Sequence, residues 1–289
     1  MSRFLRIILI WVLCMLSACS FGTDQAQVES TPEPAAPAVA VQTERTLPGR
    51  ILYVREGQIW LHQGTDARPL QIDGTVRDPA WSADGRRIAF IRREESYSDL
   101  YVLDTESGRT TQITENGSTA APRSQEFVHR VIWAAKPTWS PDGQELVFLS
   151  QVQPATGPDD DPPIYEHPLA LYRYKTALIG TRQPTNDDLL SVHQDGSDLV
   201  SPTWSPDGRY LAYVQAPREG GMRRIMLYDF ETEEARQYPG TPEGAYDPAW
   251  SPDGNRLAFA AAQDGSTDIW TTGGPQENST PQRLTSVGR

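Results

Sequence analysis

Cysteine is almost absent from this chain. Its 289 residues contain only Cys14 and Cys19, and both belong to the N-terminal segment. Disulfide scaffolds and structural zinc sites need several cysteines, or cysteines and histidines at fixed spacings. The histidines offer no such spacing, because they are scattered at His62, His129, His167 and His193. We therefore expect a domain that has no disulfide, no metal site and no cofactor.

Positive charge and long apolar runs are also scarce. Arginine and lysine total 26 against 38 acidic residues, which leaves a net charge of −12. Nucleic-acid binding requires a cationic surface, so this balance argues against a nucleic-acid partner. The apolar run Ile7–Met15 follows Arg3 and Arg6 and is too short for a membrane-spanning helix. A basic start followed by a short apolar core is typical of a secretory signal peptide.

The end of this segment predicts a lipid anchor. Leu16-Ser17-Ala18-Cys19 resembles a bacterial lipobox, which implies cleavage before the cysteine and attachment of lipid to it. Residues 1–18 are then a lipoprotein signal peptide, and residues 19–49 are the lipidated Cys19 and a Pro, Ala and Thr-rich disordered tether. We expect a cell-envelope protein that is anchored to a membrane through Cys19 and faces outward, on the periplasmic or extracellular side.

An internal repeat organises residues 50–289. Trp-Ser-Pro-Asp-Gly occurs three times and Trp-Ser-Ala-Asp-Gly once, each with a proline two residues before the tryptophan. The repeated residues are Trp81, Asp84, Gly85, Trp139, Asp142, Gly143, Trp204, Asp207, Gly208, Trp250, Asp253 and Gly254. Proline presets φ and glycine accepts a positive φ, so the motif suits a hairpin connection. We expect each Asp to bond to its own turn, which is a structural role.

Short strands follow each turn. The run Leu146–Leu149 is apolar on both faces, as in a sheet that is covered on both sides. Small residues stand at the same place in the other copies, at Ala89, Ala212 and Ala258. Two further strand-like segments, joined by a polar turn, complete each unit. Four short strands per unit, repeated along the chain, indicate an all-β propeller fold.

These residues resemble the TolB-type, WD-like β-propeller repeats over about Ile51 to Thr285. The resemblance implies a propeller that usually serves as a protein-interaction platform. Counting strands from Ile51 gives about 19, in five blades of which the first lacks its innermost strand and is three-stranded. Six blades are expected from the TolB family, so this chain departs from it. The ring is then either closed by packing alone or incomplete, to be finished by missing residues or a second chain.

Aromatic residues in the predicted insertions are the candidates for partner binding. Tyr and Trp are enriched at protein interfaces, and loops on a rigid scaffold commonly carry function. The candidate residues are Phe127, His129, Trp133, Tyr165 and Tyr172. The alternative is that the apolar members of this set only cover one end of the core.

The sequence predicts no catalytic residue, because it contains no Gly-x-Ser-x-Gly nucleophile turn and no other catalytic pattern. We expect a non-catalytic platform that binds a protein or an envelope polymer. The first alternative is a propeller enzyme, a hydrolase or lyase with its site at the central channel. The second is a fragment of a longer TolB-like propeller protein. Convergence of His, Asp and Arg at one mouth of the channel would favour the enzyme.

Overall fold

Five antiparallel sheets make up the globular domain in a computed structural model, which describes residues 47–151, 167–191, 196–263, 265–277 and 279–286. Each sheet is one blade, and its strands are neighbours in chain order. Within these residues the predicted count of nineteen strands in five blades is confirmed, with three strands in the first blade. The predicted signal peptide, Cys19, the tether up to residue 46 and Tyr165 lie outside the described residues.

The strands have the following bounds. Blade 1 comprises β1 (Leu47–Arg55), β2 (Gln58–Gly64) and β3 (Asp66–Pro69). Blade 2 comprises β4 (Thr75–Trp81), β5 (Arg87–Arg93), β6 (Ser98–Asp104) and β7 (Thr110–Gln112). Blade 3 comprises β8 (Ala134–Trp139), β9 (Glu145–Gln151), β10 (Leu169–Lys175) and β11 (Leu189–Ser191). Blade 4 comprises β12 (Asp198–Trp204), β13 (Tyr210–Ala216), β14 (Arg224–Asp229) and β15 (Glu234–Gln237). Blade 5 comprises β16 (Tyr246–Trp250), β17 (Arg256–Gln263), β18 (Ser266–Gly273) and β19 (Gln282–Arg283).

Each Trp-Ser-x-Asp-Gly motif forms the hairpin between the first two strands of a blade. In the first copy, the Ser82 hydroxyl donates to Asp84 at 2.6 Å, and the Arg86 N–H donates to the same carboxylate at 3.0 Å. The Arg87 N–H donates to the Ser82 oxygen at 2.9 Å, which fixes the start of β5. The other three copies repeat these bonds. Side-chain oxygens thus satisfy backbone groups that the turn leaves without ladder partners.

A blade is buried on both faces when it has one neighbouring blade on each side. In blade 2, Phe90 and Tyr101 lie opposite each other on the face toward blade 1, and Ile91 and Leu100 lie on the face toward blade 3. We call these the aromatic face and the aliphatic face. The register of the strands puts three further pairs on aromatic faces: Phe148 with Tyr172, Tyr213 with Met226, and Phe259 with Trp270.

Four apolar clusters hold the blades together, one at each junction between consecutive blades. At every junction, the aliphatic face of one blade packs against the aromatic face of the next. Among the described residues, no cluster joins blade 5 back to blade 1. The described blades therefore form an open arc with two end faces.

Among the described residues, blade 1 has no innermost strand, because β1 occupies the second position of its blade. The Arg50 guanidinium lies 4.3 Å from the Trp81 ring and donates to the Gly85 carbonyl at 3.0 Å. Arg87, which starts β5, makes the same contacts with the next blade, at 4.6 Å from the Trp139 ring and 3.1 Å from the Gly143 carbonyl. These matching contacts make β1 the counterpart of β5.

The end face of blade 5 is exposed where the same positions of other blades are buried. The Leu284 N–H donates to the Ile269 carbonyl, as the Ile113 N–H does to that of Leu100, both at 2.8 Å. Leu100 and Ile113 are 0% and 2% exposed, whereas Ile269 and Leu284 are 42% and 60% exposed. The opposite end of the arc presents Tyr53 and Trp60, which stack at 6.2 Å on the aromatic face of blade 1.

The described residues also contain one α-helix, α1 (Gln125–Arg130), in the insertion between β7 and β8. No helix in the described part of the chain is long and apolar enough to cross a bilayer.

Candidate functional site at the mouth of the central channel

A bulge interrupts the innermost strand of each of blades 2 to 5. The pairing shifts register just before every motif tryptophan, for example between Arg77 and Ala80 on β4. A proline occupies each bulge, where its missing N–H costs no ladder bond. The residue before each proline has a left-handed φ, of 50° at Asp78, 47° at Lys136, 51° at Ser201 and 49° at Asp247.

These conformations are strained, because a left-handed backbone is unfavourable for residues other than glycine. Each such position costs about 1–3 kcal/mol and persists only where the surrounding structure enforces it. Four equivalent positions have the same left-handed backbone conformation, so this strain is a repeated feature of the innermost strands. Strained backbone of this kind is concentrated at ligand-binding and catalytic positions in proteins.

The four bulges meet at one open recess of about 270 Å³. Its lining consists of Asp78, Pro79, Lys136, Pro137, Thr138, Ser201, Pro202, Asp247 and Pro248. Since innermost strands surround the central channel of a propeller, this recess is a mouth of the channel. We call it the channel mouth.

Polar contacts cross between blades at the channel mouth. The Lys136 ammonium lies 3.1 Å from the Asp78 carboxylate, and the Lys136 N–H donates to that carboxylate at 3.3 Å. The Ser201 hydroxyl donates to Asp247 at 2.6 Å. Lys136 is a half-exposed cation on an otherwise acidic rim, since its side chain is 56% exposed. The site thus offers two carboxylates, one ammonium and one hydroxyl around a rigid, proline-lined wall.

Among the described residues, no histidine or arginine lines the recess itself, and the Arg77 guanidinium lies 3.8 Å from the Asp78 carboxylate at its edge. In the part of the chain that the structure describes, no group of three or more His, Cys, Asp or Glu is placed to hold a metal ion. The available chemistry is the hydrogen bonding and ion pairing of a rigid polar surface.

Three of the turn carboxylates have a lowered pKa. The hydrogen bond from the Ser82 hydroxyl, followed by that from the Arg86 N–H, holds the pKa of Asp84 below its usual value. Bonds from the corresponding serine and backbone donors lower the pKa of Asp142 and of Asp253 in the same way. A carboxylate with a lowered pKa is a weak base, so this arrangement suits a structural acceptor better than a proton-transfer group.

Asp99 is a buried carboxylate that the sequence analysis missed. Its hydrogen bonds hold the segment that follows the outermost strand of blade 2. Asp99 accepts hydrogen bonds from the Thr114 hydroxyl at 2.9 Å and from the Asn116 N–H at 2.7 Å. Burial raises the pKa of Asp99 even though these donors oppose the shift. Blade 5 repeats the contact, because Asp268 accepts from the Thr285 hydroxyl at 3.1 Å. The sequence signal for this contact was an Asp on the third strand of the blade together with a Thr shortly after its fourth strand.

The predicted partner-binding residues that the structure describes lie in different surroundings. Phe127 lies on α1 and is half-buried against Val131 and Ile132 in a small separate cluster. Trp133 is half-buried, with the Arg93 guanidinium 5.9 Å from its ring.

Tyr172 lies in the core and not on an insertion. It is 2% exposed on β10, stacks on Phe148 at 5.5 Å and donates from its hydroxyl to Asn186 at 3.0 Å. Tyr172 is the fourth residue of β10, which begins at Leu169. Tyr165 and the side chain of His129 lie outside the described residues.

The channel-mouth residues were also missed as a set. The prolines recur two positions before each tryptophan, but the residues that precede them differ in charge and size. The signal was therefore the proline position, which marks a shared backbone bulge.

Comparison with known proteins supports the architecture. The family model described as TolB beta propeller domain matches residues 186–288, and that of the dipeptidyl peptidase IV (DPP IV) N-terminal region matches residues 60–154. The crystal structure of TolB from Acinetobacter baumannii superposes with a TM-score of 0.55 at 20% identity, over 79% of this chain and 48% of TolB. The globular domain has a β-propeller fold, and its residues 186–288 match the TolB-type propeller model.

Other similar proteins carry enzyme names. The "Uncharacterized peptidase YuxL" of Bacillus subtilis (strain 168) is 27% identical over 155 residues, which are 47% of this chain and 21% of YuxL. An oligogalacturonate lyase in complex with manganese superposes with a TM-score of 0.52 at 19% identity, over 81% of this chain and 61% of the lyase. The chain therefore spans about a fifth of YuxL and less than two thirds of the lyase.

Proposed function

We propose that this protein is a non-catalytic binding platform that contacts a protein or an envelope polymer at the channel mouth. The carrying observation is that four equivalent, strained bulges direct Asp78, Lys136, Ser201 and Asp247 to one recess. We also propose that lipid on Cys19 anchors it to a membrane of the cell envelope, facing outward. The tether before residue 50 would hold the platform away from the membrane surface.

The contacts at the channel mouth support binding more than catalysis. Asp78 is already paired with Lys136, and the Ser201 hydroxyl bonds to a carboxylate, which is a weak base for a hydroxyl nucleophile. Such a set recognises a ligand through complementary charge and hydrogen bonds. The rigid proline-lined wall keeps the entropic cost of binding low.

A second candidate follows from the matches to peptidases. The DPP IV N-terminal region and YuxL alignments favour a chain that is the propeller part of a longer, peptidase-like protein. In that case the channel mouth would admit or exclude substrates of a catalytic domain outside this sequence. A propeller lyase is the weaker form of the enzyme proposal, since no metal-holding group is formed by the described residues.

The test is capture of a partner from detergent-solubilised envelopes with the anchored protein as bait. Lys136→Glu combined with Asp247→Lys inverts two charges of the channel mouth, and Glu106→Lys alters an exposed turn as a control. We expect a polypeptide or polymer that wild type and Glu106→Lys retain and the double variant loses. Equal retention by all three baits would contradict binding at the channel mouth.

A further inference from the structure

An open cleft of about 470 Å³ separates the motif hairpins of blades 3 and 4. Asp142 lines it from the hairpin of blade 3, and Asp207 and the motif glycine Gly208 line it from the hairpin of blade 4. Two aromatic rings, those of Trp204 and Phe230, complete the wall on the side of blade 4. We call this space the hairpin cleft. Its described lining residues are all different from those of the channel mouth.

Arginine fills the corresponding place at two other blade junctions. Arg50 and Arg87 each lie over the motif tryptophan of the following blade and donate to the carbonyl of its motif glycine, at 3.0 and 3.1 Å. Blade 3 has Glu145 at the same place, since the Glu145 N–H donates to the motif serine as that of Arg87 does. A carboxylate cannot donate a hydrogen bond. Glu145 therefore leaves the Gly208 carbonyl without the guanidinium that its counterparts receive.

Trp204 also departs from the repeat. The indole N–H groups of Trp139 and Trp250 donate to carbonyls of the preceding blade, at 3.1 and 3.2 Å. The indole N–H of Trp204 is buried without a hydrogen-bond partner among the described residues. Its ring stacks on Phe230 at 4.6 Å, and the Arg173 guanidinium lies 4.8 Å from the Phe230 ring. An aromatic wall thus stands at this junction in place of the contact between blades that the repeat makes elsewhere.

The charge of the hairpin cleft favours a cation. Three carboxylates, of Asp142, Glu145 and Asp207, stand against the single guanidinium of Arg173, which leaves a net charge of −2. Glu145 and Arg173 pair with each other through two contacts of 2.8 Å. Asp142 and Asp207 each use one carboxylate oxygen in their own turn. The second oxygen of each is therefore available to a donor from outside.

We propose that the hairpin cleft binds the guanidinium of an arginine side chain from a partner polypeptide. The guanidinium would take the place that Arg50 and Arg87 fill at two other junctions. Its acceptors would be the Gly208 carbonyl and the carboxylates of Asp142 and Asp207. A guanidinium suits this set because its N–H donors form a rigid planar fork, and nearby aromatic rings add attraction for a cation. The site is separate from the channel mouth and would give a partner a second contact.

Titration with a capped Gly-Arg-Gly tripeptide tests this assignment on the mature chain carrying Cys19→Ser. The indole N–H signal of Trp204 in NMR spectra reports on the hairpin cleft, and its loss in Trp204→Phe identifies it. The matched probe is the same tripeptide with citrulline in place of arginine, which keeps the shape of the side chain and removes its charge. The indole signals of the other tryptophans report whether the domain remains folded.

Two substitutions to arginine provide the comparison. Glu145→Arg puts a guanidinium at the place that Arg87 occupies in blade 2, so it should fill the hairpin cleft from within. Glu106→Arg makes the same change of charge in an exposed turn and is the control. We expect the arginine tripeptide to shift the Trp204 signal to saturation and the citrulline tripeptide to leave it unchanged. Glu145→Arg should weaken binding by roughly tenfold or more, and Glu106→Arg should bind as wild type does.

Glu145→Gln is a second variant, which removes the carboxylate without filling the cleft and should weaken binding several-fold. Lys136→Glu combined with Asp247→Lys should bind the arginine tripeptide as wild type does, because it alters only the channel mouth. The proposal is overturned if both tripeptides shift the Trp204 signal equally or if neither shifts it. It is also overturned if Glu145→Arg binds as tightly as wild type, or if Glu106→Arg weakens binding by the same factor.

Discussion

One backbone torsion determines the shape of each repeat hairpin. Gly208 has a φ of 75°, and a Cβ there would meet Pro141 at 3.7 Å, which is ordinary contact. Space therefore does not exclude a larger residue at this position, but the backbone conformation does. Asp207 contributes differently, because its carboxylate accepts a backbone N–H at 3.0 Å and the Ser205 hydroxyl.

We predict that Gly208→Val destabilises the domain more than Asp207→Ala does. A left-handed backbone is costly for a β-branched residue, so the glycine substitution should lower the free energy of unfolding by at least about 2 kcal/mol. Loss of the Asp207 hydrogen bonds should cost about 1 kcal/mol. Urea unfolding of the two variants measures the difference. Equal midpoints with equal slopes would contradict the turn assignment.

The hairpin carboxylates also predict a loss of stability in acid. The folded pKa values of Asp84, Asp142 and Asp253 lie below the ordinary value of 3.8, so the unfolded chain binds more protons between the two values. Their contribution is fully present above pH 3.8 and is lost as the pH falls through the folded pKa values.

The comparison is between wild type and a triple variant, Asp84→Asn/Asp142→Asn/Asp253→Asn. The wild type should melt at the higher temperature at about pH 6, and the difference should shrink toward about pH 3. A difference that stays constant over this range would show that these carboxylates are not ionised acceptors.

Each of blades 2 to 4 packs against two neighbouring blades, whereas blades 1 and 5 pack against one each. A blade carries an aromatic face and an aliphatic face, and each is buried only by a neighbour. Ile225 and Ile269 occupy the same place on the third strands of blades 4 and 5, yet they are 0% and 42% exposed. The environment of a repeat position therefore depends on its place in the series.

Matched alanine substitutions measure that dependence. Ile225→Ala should lower the free energy of unfolding by about 2–5 kcal/mol, as expected for a buried core residue. Ile269→Ala should cost less than half as much, because its side chain is already partly in water. Similar costs for both variants would mean that blade 5 is covered in solution and that the ring is closed.

Local features of the fold were predictable, whereas features that depend on distant neighbours were not. Turn chemistry and strand alternation gave the correct blade count, because both act over a few residues. Ala89 and Ala258 stand at equivalent places in the sequence repeat, but only Ala89 is fully buried, since no described blade packs against this face of blade 5. Tyr172 was assigned to a surface because its burial depends on the sheet of blade 2, which is distant in sequence. The channel mouth required the backbone bulges, and the only sequence signal for them was the recurring proline two residues before each motif tryptophan.

The domain and its N-terminal segment suggest different tasks for the two parts of the molecule. The domain carries the polar channel mouth, and the N-terminal segment carries the predicted anchor at Cys19. The described part of the domain holds no helix that could cross a bilayer. The proposed lipid on Cys19 would supply the membrane affinity.

We predict that wild type partitions into membranes and that Cys19→Ala does not. Acyl chains attached to Cys19 supply the membrane affinity, so the variant should lose both lipid labelling and membrane association. Mass spectrometry of the mature N-terminus identifies the modification. A wild-type protein without an acyl group on Cys19 would refute the lipoprotein assignment. Unchanged melting of the variant domain is the control.

The open arc also governs how the molecule comes apart. In a closed ring every blade has two neighbours, so no blade can leave without breaking two interfaces. In the open arc, blade 1 is held only by its interface with blade 2, and blade 5 only by its interface with blade 4. Stability in such a series is a sum of unit and nearest-neighbour terms, so an end blade opens before the blades between them. Unfolding should therefore begin at the ends of the arc, and a protease should cut an end blade while blades 2 to 4 are still folded.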